Sequence, residues 1–164
     1  MQARTVPSLS RTAGFTLIEL MVVVVIATIL VSIAVPSYMS QIRESRRTDA
    51  RTALLDLAGR EESYNASMNA YTNVAANLGY AAFPATIGSG YYQITVVCVA
   101  AYGAALACDP NANAPTGPSY YLTATPVAGS SQASDGQCTS FSVDSLGNQF
   151  STGTATTQTC WSSQ

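Results

Sequence analysis

Glu19 is the residue whose position most demands a chemical account. From Phe15 to Val35 the chain reads FTLIELMVVVVIATILVSIAV, and this carboxylate is its one ionisable side chain. A charge in hydrocarbon costs on the order of 2.5–3.5 kcal/mol on insertion scales, so an acid there must be neutralised or paired. Gly14 stands just before the run and Pro36 just after it. A second reactive set is Cys98, Cys108, Cys138 and Cys160, in a chain without histidine. Their spacings contain no C-x₂₋₄-C pair, which argues against zinc. An even set suits disulfides in a small exported domain, and three pairings are open. Cys98–Cys108 would close the loop between two strands, and Cys138–Cys160 would tie the C-terminal segment back onto the sheet. A third set, Asp109, Asn111 and Asn113, resembles the start of a calcium loop. Ala114 replaces its glycine, however, and Tyr120 stands where the bidentate glutamate belongs, so the segment reads as an ordinary loop. No acid–base or nucleophilic constellation is recognisable, which points away from an enzyme, and no metal or cofactor is expected.

The elements that must position these residues begin with the apolar run itself. At 1.5 Å per residue it makes a helix about 31 Å long, matched to the hydrocarbon core of a bilayer. It is too long for the h-region of a secretory signal, and no A-x-A-like site closes it. Pro36 should kink the helix. Beyond it, Ala50, Leu54, Leu57, Tyr64 and Met68 recur at helical spacing, interrupted at Glu61, as one buried face. Asp56 and Arg60 form an i,i+4 pair. The expectation is one helix from Phe15 to about Met68, whose second half packs on a sheet.

Residues 69–90, rich in Ala, Asn and Gly, read as a connecting loop. YYQITVVCVA (91–100), SYYLTATPV (119–127) and CTSFSVDS (138–145) have the alternation of strands, and DSLGN supplies a turn into Gln149–Thr152. The fold class expected is α+β, with the long helix on an antiparallel sheet of about four strands. Tyr91, Tyr92, Tyr120 and Tyr121 read as packing and edge residues. All seven basic residues are arginines at or before Arg60, and only Glu61, Glu62, Asp109, Asp135 and Asp144 are charged beyond it, which predicts an acidic head surface. Arg43, Arg46, Arg47 and Arg51 read as a solvated face or an inter-subunit contact. They also follow the apolar run so closely that a positive-inside count does not favour an exported C-terminal domain.

Gly14 followed by Phe15, Thr16, Leu17, Ile18 and Glu19, then apolar residues to Pro36, resembles the N-terminus of type IV pilins and pseudopilins. The resemblance implies a prepilin peptidase that cuts after Gly14 and methylates Phe15. It divides the chain into a removed leader (1–14), a transmembrane and filament-core helix (15–36), a second helical half (37–68) and a disulfide-bonded β head (69–164). It implies residence in the bacterial inner membrane with the head in the periplasm, then in a surface pilus. It also gives Glu19 a partner: the freed amine of Phe15 on an adjacent subunit, which would set axial register. The other partners implied are further pilin subunits and the pilus assembly machinery. The pairing Cys138–Cys160 resembles the pilin disulfide that bounds a surface-exposed C-terminal region.

The stretches RRTDARTALLDLAGREESYNASMNAYT and DGQCTSFSVDSLGNQF, with the terminal CW, are similar to minor pilins of the subfamily that includes receptors for DNA-uptake sequences. DNA binding needs cations that displace phosphate counterions, and the head has none beyond Arg60, which argues against nucleic acid as a partner. A minor pilin is therefore expected. A DNA-uptake receptor pilin is the alternative, then a type II secretion pseudopilin; the cysteines favour a pilus.

Overall fold

The structure, a computed structural model, describes residues 14–100 and 116–162. The calcium-like loop at Asp109 and the Cys98–Cys108 pairing lie outside the described residues, as does the leader up to residue 13. Contacts divide the chain into two compact units that meet between Ser40 and Gln41.

In the first unit, α1 (Leu17–Met68) begins three residues after Gly14. Every large apolar side chain from Leu17 to Val35 is exposed, as a helix apolar on all sides must be when no neighbour covers it. Pro36 lies inside α1 without ending it. Its missing N–H withdraws the donor that would serve the Ser32 carbonyl.

In the second unit, α1 becomes one-sided. Arg47, Ala50, Arg51, Leu54, Leu57 and Glu61 are buried, so the inner stripe does not skip Glu61 but includes it. The stripe ends earlier than expected: Tyr64 only packs against the core and Met68 is exposed. Leu54 and Leu57 are fully buried, each worth about 1.5–3 kcal/mol relative to exposure.

The sheet has five strands rather than about four. β1 (Tyr71–Thr72), β2 (Ala85–Ile87), β3 (Tyr92–Ala100), β4 (Thr116–Gly117), β5 (Ser119–Pro126), β6 (Ser140–Asp144) and β7 (Gln149–Thr152) are followed by α2 (Thr157–Trp161). The main sheet runs β2-β3-β5-β6-β7 as an antiparallel meander, and β1 and β4 form a separate ribbon. Both β1 and β2 lie in the stretch expected to be loop. Strands of two and three residues are too short to show a period, so only pairing reveals them.

Alternation on β3 and β5 aims Tyr92, Ile94 and Val96, and Tyr120, Leu122 and Ala124, into the core, where Phe141 and Val143 of β6 join them. Tyr92 meets Phe141 edge-on at 6.0 Å, and Phe141 meets Trp161 at 5.9 Å. The β6–β7 hairpin is closed by Asp144, whose Oδ1 accepts from the amides of Leu146 (3.0 Å) and Asn148 (2.8 Å). Asp144 is thus buried, not part of an acidic surface.

Cys138 and Cys160 are joined, with Cα atoms 5.8 Å apart, so α2 is bound to the start of β6. Gly153 lies beneath this corner at φ +128°, and an added Cβ would run into the Gln137 carbonyl. Closing a loop of this size constrains the unfolded chain by about 3 kcal/mol in the chain-entropy model. Reduction should therefore lower the unfolding free energy by about that amount. Limited proteolysis of the reduced protein should cut first within residues 138–160, and cleavage elsewhere first would contradict this assignment.

Candidate functional site

At the N-terminal end, Gly14 is exposed and nothing lies within 4 Å of where its Cβ would be. Phe15 is 85% exposed. Thr16 caps the helix: its Oγ1 accepts from the Glu19 amide at 3.3 Å, while its carbonyl takes the amide of Leu20 at 3.2 Å. Thr16-x-x-Glu19 has the spacing of a capping box, a signal legible in the residues themselves. Glu19 therefore occupies the first turn, where a carboxylate favours the helix dipole by about 0.3–1 kcal/mol at exposed sites. Gly14 and Phe15 thus directly precede α1 and Glu19 stands in its first turn, all exposed.

The second arrangement is the seam between the arginines of α1 and the head. Arg47 and Arg51, expected on a solvated face or at an inter-subunit contact, are 7% and 6% exposed and turn inward within the chain. Arg47 grips Asp135 with both arms of its guanidinium, Nε to Oδ2 at 2.7 Å and Nη2 to Oδ1 at 2.8 Å. Burial alone would raise the Asp135 carboxyl, but this guanidinium and the amides of Gln137 and Cys138 hold it below the usual carboxylate range. Arg51 donates through Nη1 to the carbonyls of Cys160 (3.1 Å) and Ser162 (2.8 Å), satisfying the end of α2. Glu44 joins the two, at 3.1 Å from Arg47 and 2.6 Å from Arg51.

Around this seam the contacts continue. Gln132 donates to Asp135 (3.0 Å) and to the Tyr92 hydroxyl (3.1 Å), and burial pushes Tyr92 up to about 12. Arg46 lies over the Tyr91 ring at 3.5 Å and donates to Ser131 at 2.8 Å. Arg60 pairs with Asp56 at 2.8 Å, as the spacing predicts. The expected acidic head surface is much reduced among the described residues, since Glu61, Asp135 and Asp144 are buried and Glu62 alone of the expected set is exposed there. No signal in the sequence marks Arg47 and Arg51 as internal, because their partners lie 88 to 111 residues away.

Comparison with known proteins addresses the two units in turn. Residues 9–35 match the model described as the prokaryotic N-terminal methylation motif. Residues 36–142 match the family described as type IV minor pilin ComP, DNA uptake sequence receptor. That match takes in more than half of the chain, and the chain belongs to this family. A family of structural pilins is not one of enzymes. The type IV major pilin protein PilA of Myxococcus xanthus (strain DK1622) is 38% identical over 71 residues, 43% of this chain. The match spans about a third of that relative's length, 32%.

The seam has a measurable weight. Removing one partner of a buried pair strands the other, at about 3–5 kcal/mol. Arg47→Ala should lose that much in urea unfolding of the full-length protein in detergent, whereas Arg60→Ala at the exposed pair should change far less. Because Asp135 has a depressed value when folded, its contribution is complete above its unfolded value, about 3.9. It is lost as pH falls through the folded value, so acid should unfold the parent protein and add little further loss to Arg47→Ala.

Proposed function

We propose that this chain is a prepilin, cut after Gly14 by a prepilin peptidase, methylated on Phe15, and built by pilus assembly machinery into a type IV pilus as a minor subunit. Residues 15–36 hold it in the bacterial inner membrane with the head in the periplasm until assembly. The observation that carries this reading is the junction at Gly14. An exposed glycine and phenylalanine precede a helix whose first half buries nothing and bears one acid at the fifth position from Phe15.

Cleavage frees the Phe15 amine one helical turn, about 6 Å, from Glu19. A subunit displaced axially by that rise brings its own amine beside the Glu19 of its neighbour, so the charge pair sets register. Lipid and a bundle of apolar helices are alike to these side chains, so extraction has little hydrophobic cost and the pair and packing decide the balance. Pro36 loosens the helix where the apolar segment ends. The subunit has no catalytic role in this reading; it is a peptidase substrate.

The family description supports a second reading, reception of DNA. The structure weighs against it, since Arg47 and Arg51 are spent inside the protein. Among the described residues, the only remaining cations are Arg43, Arg46 and Arg60, the last two already bound to Tyr91 and Asp56.

Gly14→Glu should leave an unprocessed, heavier precursor in the membrane, seen by immunoblotting of fractions. Glu19→Val should be processed normally yet be absent from sheared filaments. Normal incorporation of Glu19→Val would sink the register role while leaving processing intact. For DNA, labelled duplex should show no saturable binding at low salt; affinity falling steeply as salt rises would establish the second reading instead.

A further inference from the structure

Glu61 is fully buried on the inner face of α1, yet only half of its carboxylate is satisfied. Its Oε2 accepts from the Thr72 amide at 3.0 Å, while Oε1 has no hydrogen-bond partner among the described residues. The other buried acids of the head are treated differently: Asp135 has a guanidinium and Asp144 has three donors. Glu61 holds a single amide of β1, a strand of two residues that pairs with the equally short β4 (Tyr71 opposite Gly117, Thr72 opposite Thr116).

The groups that face it are themselves acids. On α1 the adjacent Glu62 carboxylate accepts from the Tyr71 hydroxyl of β1 (3.0 and 3.2 Å) and the Tyr120 hydroxyl of β5 (3.3 Å). Those two rings meet edge-on at 4.7 Å. Tyr71 and Tyr120 are raised above their ordinary range, by burial first and then by the Glu62 charge. Thr116 and Gly117 of β4 carry no titratable group, nor does the turn Ala75–Leu78. The adjacent cation in sequence, Arg60, is turned to Asp56 and to the Leu78 carbonyl at 3.1 Å.

A second negative charge placed here lies buried beside Glu62 with no cation facing it. An unpaired charge in such a place costs far more than an unpaired hydroxyl. We propose that Glu61 is a proton-operated clasp: neutral, it holds the β1–β4 ribbon against α1, and ionised, it lets the ribbon part from the helix. The proton resides on Oε1 while Oε2 keeps the Thr72 amide. This goes beyond the pilin assignment and does not depend on it.

Desolvation, offset by the Thr72 amide and reinforced by Glu62, pushes Glu61 from 4.5 to about 7. A folded value raised above the unfolded one gives a contribution complete below the unfolded value and lost as pH rises through the folded value. Between pH 5 and pH 8 the balance between clasped and open ribbon then shifts by about two powers of ten.

The test uses the full-length protein in detergent micelles with its glutamates labelled with ¹³C at the side-chain carboxyl. The Glu61 resonance should titrate with a midpoint near 7. Over the same range the amide-exchange protection of Thr72, corrected for intrinsic rate, should fall by about two powers of ten, while that of Val143 on β6 holds. In Glu61→Gln the Thr72 protection should no longer vary with pH. A midpoint near the ordinary glutamate value overturns the proposal. So does equal loss of protection at Thr72 and Val143, or an unchanged pH dependence in Glu61→Gln. Should that variant fail to fold, the resonance of the parent protein decides alone.

Discussion

The head is organised by two guanidinium groups that the helix carries inward. Arg47 and Arg51 stand one turn apart on α1, and between them they hold a carboxylate from the segment before β6 and the last carbonyls of α2. Because both are buried, the rotation of the helix about its axis is fixed as much by charge as by Ala50, Leu54 and Leu57. A helix turned by one residue, about 100°, would lose the bidentate contact to Asp135 and carry a cation across apolar surface. The same two groups pin both sides of the Cys138–Cys160 bridge, so the C-terminal region is held by a covalent tie, one ion pair and a guanidinium bonded to backbone carbonyls. Apolar packing alone would allow the helix to slide by a turn; a planar fork set on a carboxylate does not.

What could be read from the residues follows from how local each signal is. The strands Tyr92–Ala100, Ser119–Pro126 and Ser140–Asp144 were legible because alternation is written within the strand itself. The start of α1 was legible because the glycine, the acid and the apolar run are contiguous. The seam was not, because an arginine on a helix is ordinarily solvated and nothing near Arg47 names Asp135 as its partner. Glu61 reads as a break in the apolar stripe for the same reason. Its carboxylate is met by the Thr72 amide, 11 residues on, in a strand of two residues that itself has no visible period.

These placements change the electrostatic character that composition suggests. A count of charges gives an arginine-rich helix base and an acidic head, two surfaces that could recruit polyanions and cations respectively. In the folded chain much of that charge is turned inward: Arg47 cancels Asp135, Arg51 shares Glu44 with it, and Asp144 closes its own hairpin. Among the described residues the surface near the end of the chain is uncharged and polar, as at Thr139, Thr152, Thr154 and Gln158. Such a surface suits contact with copies and relatives of itself over long-range attraction of charged ligands, because steering requires a field that mutual neutralisation has removed.

The two acids of α1 that lie among apolar groups show how one helix solves the same problem twice. Glu19 lies in the exposed apolar half and forms no ion pair among the described residues; in the function proposed above, the amine that cleavage frees on a neighbour meets its charge. Glu61 lies in the covered half, where the fold supplies one amide and otherwise only acids, so its charge is best removed by a proton. The difference comes from the environment and not from the residue, for the side chain and the helix are the same. On that proposal the surroundings of the first half are exchangeable and the acid can wait for a partner. In the second they are fixed by the sheet, and proton uptake is the cheaper way to keep the carboxyl buried.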